Sequence, residues 1–375
     1  MILLAPPSNM TMNLSRILLS AAAAIGLGLV GACGGASVSP LATPPNATPD
    51  VYVAGAIYSD QNNKQTSTAS YWKNGVAVSL GGFTVGSTAN AITIFGSDVY
   101  VAGVGNNGGQ DIATYWKNGV SVPLTDGTYR GFANSIAISS GDVYVAGAGA
   151  GPNDSLVAKY WKNGVPVNLT AGTGNAVFVS GMDVYVAGSV SQTTQTSPNS
   201  TYTGSVAVLW KNGTAVPLTD GLHSSIAYSV FVSGSDIYVA GYAAQTQEGN
   251  DNEATYWKNG NPVTLAGQIP SAVVSIFVAG QDVLAAGNTS SGPVYWKDGT
   301  QFSLTGSDAT QIVVSNGNVY VSGVNYPSSP IYGNLRNNVT SSSYLGATYW
   351  ENSNPNPLAP GAYSSEANAI AVVDP

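Results

Sequence analysis

Chemistry needs side chains that carry charge, protons or metal ions, and this chain has few. Its 375 residues hold 19 Asp and Glu, 11 Lys and Arg, one His and one Cys. The lone histidine, in Asp220-Gly221-Leu222-His223, cannot build a multi-histidine metal centre, and no serine–histidine–aspartate order is legible around it. The single cysteine, Cys33, excludes internal disulfides and cysteine-based zinc sites. Carboxylates remain: Asp60, Asp111, Asp154, Glu248, Asp251, Glu253 and Asp308. A pair of them roughly 5–10 Å apart would suffice to cleave a glycosidic bond. Two stretches offer oxygen ligands for calcium, Asn250-Asp251-Asn252-Glu253 and residues 106–111. Neither has EF-hand spacing, and Asp251 and Glu253 are the weak Ca²⁺ candidates. No glycine-rich phosphate loop follows a strand–helix pattern, so no cofactor is expected.

The composition sets the wider frame. The chain is 44% hydrophobic and only 8% charged, with 45 Gly, 21 Tyr and a net charge of −8. It is too apolar for a disordered chain. Six lysines belong to one repeated motif, Lys73, Lys117, Lys162, Lys211, Lys258 and Lys297. After residue 33 that leaves Lys64, Lys159, Arg130 and Arg336. A phosphate-binding stripe is therefore not expected, nor a nucleic-acid partner, and a sialidase-like arginine triad is unavailable.

The motif is Tyr71-Trp72-Lys73-Asn74-Gly75, and it recurs around Trp116, Trp161, Trp210, Trp257, Trp296 and Trp350. A second motif, Asp-Val-Tyr-Val-Ala-Gly, starts at Asp50, Asp98, Asp142, Asp183, Asp236 and Asp282, with a seventh copy at Asn318. Tryptophans lie 39 to 54 residues apart, the length of a four-stranded propeller blade. Each unit reads as four strands. Strand a is an Ile/Val alternation such as Ser135-Ile136-Ala137-Ile138, and a tight turn leads to strand b, Val-Tyr-Val-Ala-Gly. Strand c carries the tryptophan. Asn-Gly then forms a two-residue turn with positive φ at both positions, and strand d follows. Strand b is apolar on both faces, which suits a blade sandwiched between two others. Pro123, Pro166 and Pro217 in strand d place it at an edge, outermost. The expected fold is an all-β seven-bladed β-propeller. Its ring closes when strand 369–372 at the C-terminus pairs with strand 51–55, removing both free edges. The seven tryptophans are then structural, packing blade on blade.

The strand order, with tryptophan in the third, resembles WD40-type propellers across residues 50–375, although the Gly-His and Trp-Asp dipeptides of that family are missing. A nearer resemblance is to bacterial lipoproteins built of Tyr-Trp-Lys-Asn-Gly repeats, which implies a fold and an address but no activity. The N-terminus agrees. Arg16, an apolar run over residues 17–30, and Val30-Gly31-Ala32-Cys33 resemble a lipoprotein signal with its lipobox. The run is too short to span a membrane. Residues 1–9 carry no charge, so Met10 or Met12 is a possible start. The resemblance implies cleavage before Cys33, lipid on its sulfur and amine, and, through Gly34, residence at the outer membrane. The division is thus a signal peptide over 1–32, a lipidated cysteine and flexible tether over 33–49, and a propeller over 50–375, monomeric and held to the membrane by lipid.

Length variation indicates where function sits. From each Trp to the next strand-b Gly is 27 to 31 positions; from that Gly to the following Trp is 9 to 27. The b–c connections therefore vary. They share one face of an up-and-down blade with the d–a connections, opposite the short a–b and c–d turns. The longest b–c connections, 189–204 and 324–346, carry Tyr202, Tyr326, Tyr332, Tyr344 and Arg336, and Tyr242, Tyr58 and Tyr129 lie on other connections of the same face. Tyrosines among small polar residues suit a protein- or glycan-binding rim. The leading expectation is a non-enzymatic binding module using this face. The alternatives are a hydrolase or lyase using loop carboxylates and a scaffold in an outer-membrane complex.

Overall fold

The computed structural model describes residues 48–61, 64–197, 200–246, 251–265, 269–325, 346–358 and 364–375. These form seven four-stranded antiparallel sheets arranged as the blades of a closed propeller. Among them no helix occurs, and none is long and apolar enough to cross a membrane. Blade 3 shows the pattern, with strand a at Gly131–Ser139, b at Asp142–Ala150, c at Leu156–Lys162 and d at Val165–Ala171. The a strands touch one another in succession around the ring, so they are innermost. The d strands are largely exposed, and Pro123, Pro166 and Pro217 lie on that outer edge, where a missing N–H costs nothing. Blade 1 is completed by the C-terminal strand Ser365–Val373, in which Val372 pairs with Val51 and Ala369 with Ala54.

Turn chemistry explains the hairpins. Asn74-Gly75, Asn118-Gly119, Asn163-Gly164, Asn212-Gly213 and Asn259-Gly260 all have positive φ at both positions, as do Asp298-Gly299 and the decayed pair Asn352-Ser353. Asn and Gly tolerate this conformation best, and it matches the right-handed twist of the flanking strands.

Each a strand contains a β-bulge where its first half meets strand b. One residue is left over in each: Asn90, Asn134, Asn175, Tyr228, Val274, Thr310 and Asn368. The carbonyl two residues earlier turns onto the strand-b glycine. A Cβ on Gly147 would collide with the carbonyl of Phe132, and the same holds for Gly55, Gly103, Gly188, Gly241, Gly287 and Gly323 with their own partners. The glycine that ends every Val-Tyr-Val-Ala-Gly motif is required by this close approach.

The left-over residues also join the blades. Nδ2 of Asn368, Asn90, Asn134 and Asn175 donates to the carbonyls of Ala89, Ala133, Gly174 and Ala227 in the next blade, at 2.9–3.0 Å. Where the left-over residue is Tyr228 or Val274, a neighbouring hydroxyl takes over. Ser229 and Ser275 accept from the N–H groups of Ile276 and Ile312. Between blades 7 and 1, Thr310 donates to the Ala367 carbonyl and Gln311 accepts from Ile370 N–H. Every inner-strand interface thus has a buried hydrogen bond. Around this stitching all seven tryptophans are at most 1% exposed. The indole N–H of Trp116, Trp210 and Trp350 donates to Gly81, Thr170 and Thr305 at the end of the preceding blade, satisfying the one polar atom a buried tryptophan carries.

Candidate functional site

One face of the ring is built from a single repeated device. Asp142 at the start of strand b accepts from Lys162 Nζ and Asn163 Nδ2, both at 2.8 Å. Asn163 Oδ1 accepts from Val143 N–H at 2.8 Å, and the lysine lies 5.3 Å over the Tyr144 ring. The latch recurs at Asp50, Asp98, Asp183 and Asp236. At Asp282 the ion pair with Lys297 persists, while Asp298 caps Val283 N–H in place of Asn. In the last blade Asn318, Glu351 and Asn352 substitute, and Tyr320 donates to Glu351. Lysine and asparagine donors hold the Asp142 carboxyl below its ordinary range. The strand-b aspartates bond side chains, because asparagine already satisfies the backbone N–H. All six lysines are ion-paired, and all but Lys297 lie over a tyrosine ring. Asp374 closes the face by accepting from Ser315 and Asn316.

The opposite face carries the b–c and d–a connections. The long connection at 189–204 is a hairpin and not a loop. Strands Asp183–Ser197 and Ser200–Lys211 pair out to Ser197 and Ser200, with one irregularity between Gln195 and Ser197, because the threonine-rich stretch favours the extended chain. Blade 1 has a similar arm, paired to Gln61 and Lys64. Tyr202 lies on the first arm, half-buried, with its ring folded over Gly204. Tyr242 departs from the expected rim. It is 5% exposed and packs 6.0 Å from Tyr228, because it faces inward on strand b beside the left-over residue. Tyr326, Tyr332, Arg336 and Tyr344 lie outside the described residues, as does Cys33. Of the calcium candidates, Glu253 accepts from Gln245 at 2.6 Å, and at Asp251 loss of hydration, which raises the carboxyl, is outweighed by bonds from Thr246, Gln245 and its own backbone, which together hold it low. The 106–111 loop bonds itself, Asn106 donating to Asp111 and to the Gly109 carbonyl. No cluster of three or more metal-binding His, Cys, Asp or Glu occurs among the described residues.

The inner strands form three tiers below this face. The bulge brings the residues two before it, at it and three after it to the axial side. Deepest, Phe178, Phe231 and Phe277 in successive blades touch at 5.2 and 4.9 Å, an apolar floor. The middle tier is the left-over residues themselves, and Asn90, Asn134, Asn175, Tyr228, Val274 and Asn368 are all under a tenth exposed. Water reaches the uppermost tier, where Asp308 of blade 7 and Glu366 of blade 1 occupy equivalent positions. Thr88, Phe132, Thr173 and Ile226 continue that tier. Asp308 is exposed as a residue, yet its carboxyl is crowded by neighbouring atoms. Loss of hydration lifts its carboxyl above the usual range, and a bond from Ser307 only partly offsets this. Glu366 accepts from Asn368 at 3.3 Å. Sequence reasoning missed Glu366 and the asparagine tier; the recurrence of Asn at 90, 134, 175 and 368 within apolar strands was the available signal.

No protein-family model matches the chain, and no curated protein does. Similar folds occur among solved structures. An ulvan lyase of polysaccharide lyase family PL25 is 12% identical, with a TM-score of 0.45 over 72% of this chain and 92% of that one. An acylaminoacyl peptidase is 11% identical, with a TM-score of 0.50 over 84% of this chain and 52% of that one. A Mycobacterium tuberculosis puromycin-hydrolyzing peptidase is 10% identical, with a TM-score of 0.48 over 83% and 54%. This chain spans about half the length of either peptidase. At such identities the likeness concerns the fold alone.

Proposed function

We propose that this protein is a binding module of the bacterial envelope, held by lipid on Cys33 and engaging its ligand with the b–c face of the propeller. The observation that carries this is the contrast between the faces. The latch face repeats one arrangement in which six aspartate–lysine pairs satisfy each other. The opposite face has individually shaped arms and a mouth whose carboxylates, Asp308 and Glu366, have no cationic partner among the described residues. Loop variation on a rigid scaffold is how such folds acquire specificity. The chain enters the propeller at Asp50, on the latch face, so a tether over 34–49 would leave the b–c face directed away from the anchor.

The test blocks each face in turn. With Cys33 replaced by Ser, a single cysteine at exposed Thr128, beside the mouth, or at Met182, 98% exposed in a latch-face turn, is coupled to polyethylene glycol maleimide. Each form is assayed on native envelopes and on a glycan array. Blocking Thr128 should abolish retention and blocking Met182 should not; the reverse pattern, or turnover of a glycan by unblocked protein, contradicts the reading. Palmitate labelling that depends on Cys33 tests the anchor, and an unlabelled parent removes it.

A further inference from the structure

The latch face has two unlike halves. The residue that follows each c–d turn opens strand d and pairs with the last residue of strand c. In blades 1, 2 and 3 it is Val76, Val120 and Val165, paired with Lys73, Lys117 and Lys162. These valines are 65–68% exposed. In blades 4 to 7 the equivalent residues are Thr214, Asn261, Thr300 and Asn354, all polar. The a–b turns at the same end of the blades add Phe95 in blade 2, paired with Asp98, and Met182 in blade 4, between Ser180 and Asp183. Phe95 is 46% exposed and Met182 98%.

Charge divides the face in the same sense. The latches of blades 1 to 4 pair four aspartates with four lysines at 2.8–2.9 Å. Blades 6 and 7 add Asp298 and Glu351, which accept from Val283 N–H and the Tyr320 hydroxyl, and Asp374 accepts from Ser315 and Asn316 of blade 7. None of these three carboxylates pairs with a lysine or arginine among the described residues. One half is apolar with its latch charges balanced, and the other is polar and acidic.

The exposed apolar residues stand at one end of successive blades, spaced by the blades themselves. A folded protein partner needs a contiguous, closely packed patch. A bilayer surface is flat and receives separate apolar side chains. The chain enters the propeller at Asp50, in the apolar half. Cys33, the proposed lipid-bearing residue, is 17 residues upstream, and that length reaches at most about 60 Å. A contact too weak to hold a free chain is populated once the chain is tethered beside its partner.

Resting on that reading of Cys33, we propose that the latch face of blades 1 to 4 lies against the lipid bilayer. Val76, Phe95, Val120, Val165 and Met182 enter the headgroup boundary, and anionic headgroups hold off the acidic half. The contact orients a tethered propeller and leaves the b–c face toward its ligand. A detergent micelle around the same lipid covers these residues in the same way.

Photolabelling tests this on the full lipid-bearing chain, in vesicles of phosphatidylethanolamine and phosphatidylglycerol that include a phospholipid with a diazirine in its acyl chain. Peptide mapping should place the label at 94–97, 118–121, 163–166 and 180–183, and roughly tenfold less at 298–301, at 352–355 and on the b–c face at 126–130. The double variant Val120→Glu, Val165→Glu changes two exposed edge positions. It should keep its circular dichroism spectrum and lose the label at 118–121 and 163–166. Label spread evenly over the seven blades, label on the b–c face, or label confined to residues before Asp50 overturns the proposal. So does self-association in gel filtration that the double variant abolishes, which would make a second copy the occupant. If Cys33 carries no lipid in cells, the anchor reading fails by itself. The same map, with Cys33 coupled to a maleimide-bearing phospholipid, still decides which face meets the bilayer.

Discussion

The carbonyl oxygen of Phe132 occupies the space that a side chain at position 147 would need. This contact between the inner strand and Gly147 of strand b exists because Asn134 is inserted as a bulge, and it is repeated in all seven blades. It links the most regular sequence motif of the chain to the geometry of its axis.

Gly147→Ala should therefore destabilise the protein by about 3 kcal/mol, the upper range for forcing an atom into packed backbone. Gly151→Ala, where nothing lies within 4 Å, should stay within about 0.5 kcal/mol. Urea unfolding of the two variants checks the difference. Equal midpoints would mean that the bulge relaxes freely.

The latches predict an unequal response among their members. Lys162→Met should have little effect, since exposed ion pairs contribute little. Asn163→Ala loses the cap on Val143 N–H and places alanine at φ 51°, and should cost about 2 kcal/mol. The latch aspartates titrate below their ordinary range. Their contribution is present above the unfolded carboxylate pKa and disappears as pH falls through the lowered folded value. Thermal melts should therefore lose stability on acidification below about pH 4, and less so when the latch aspartates are replaced by Asn.

Asp308 has the opposite sign. Its carboxyl is raised by desolvation, so the folded state holds the proton more tightly than the unfolded chain. Its contribution is present at low pH and is lost as pH rises through the raised value. Asp308→Asn should raise Tm at neutral pH and leave it unchanged in acid. A fall in Tm at neutral pH would indicate a stabilising partner for this carboxylate, contrary to the mouth described above. A residue kept at a cost to stability fits a role in binding.

The ring also makes a sharp claim. Removing residues 366–375 deletes the inner strand of blade 1, its bonds to blades 7 and 2, and the Asp374 contact. The shortened chain should aggregate or unfold, visible by gel filtration and circular dichroism. A truncated chain melting like the parent would contradict closure.

Much of this architecture was legible from residue order. Tyr-Trp-Lys-Asn-Gly combines a strand, a buried aromatic and a turn that demands positive φ, all local signals. Closure followed from one strand a without its own b and one b without its own a. The bulge was not legible, because a run such as Phe132-Ala133-Asn134-Ser135-Ile136 reads as an ordinary strand, and one inserted residue changes which side chains meet the axis. That inversion hid Glu366. The latches were hidden for a related reason. Asp142 and Lys162 lie far apart in sequence, and the antiparallel b–c pairing alone brings them together.

The most direct test of the central claim, that the mouth bearing Asp308 and Glu366 is the working surface, is hydrogen–deuterium exchange on the lipidated protein in its native envelope against the detergent-purified protein. The account predicts slower exchange in the envelope over residues 124–134, 219–228 and 305–311, with the Asn-Gly turns of the latch face unchanged. Protection confined to those turns, with the mouth exchanging equally in both states, would contradict it.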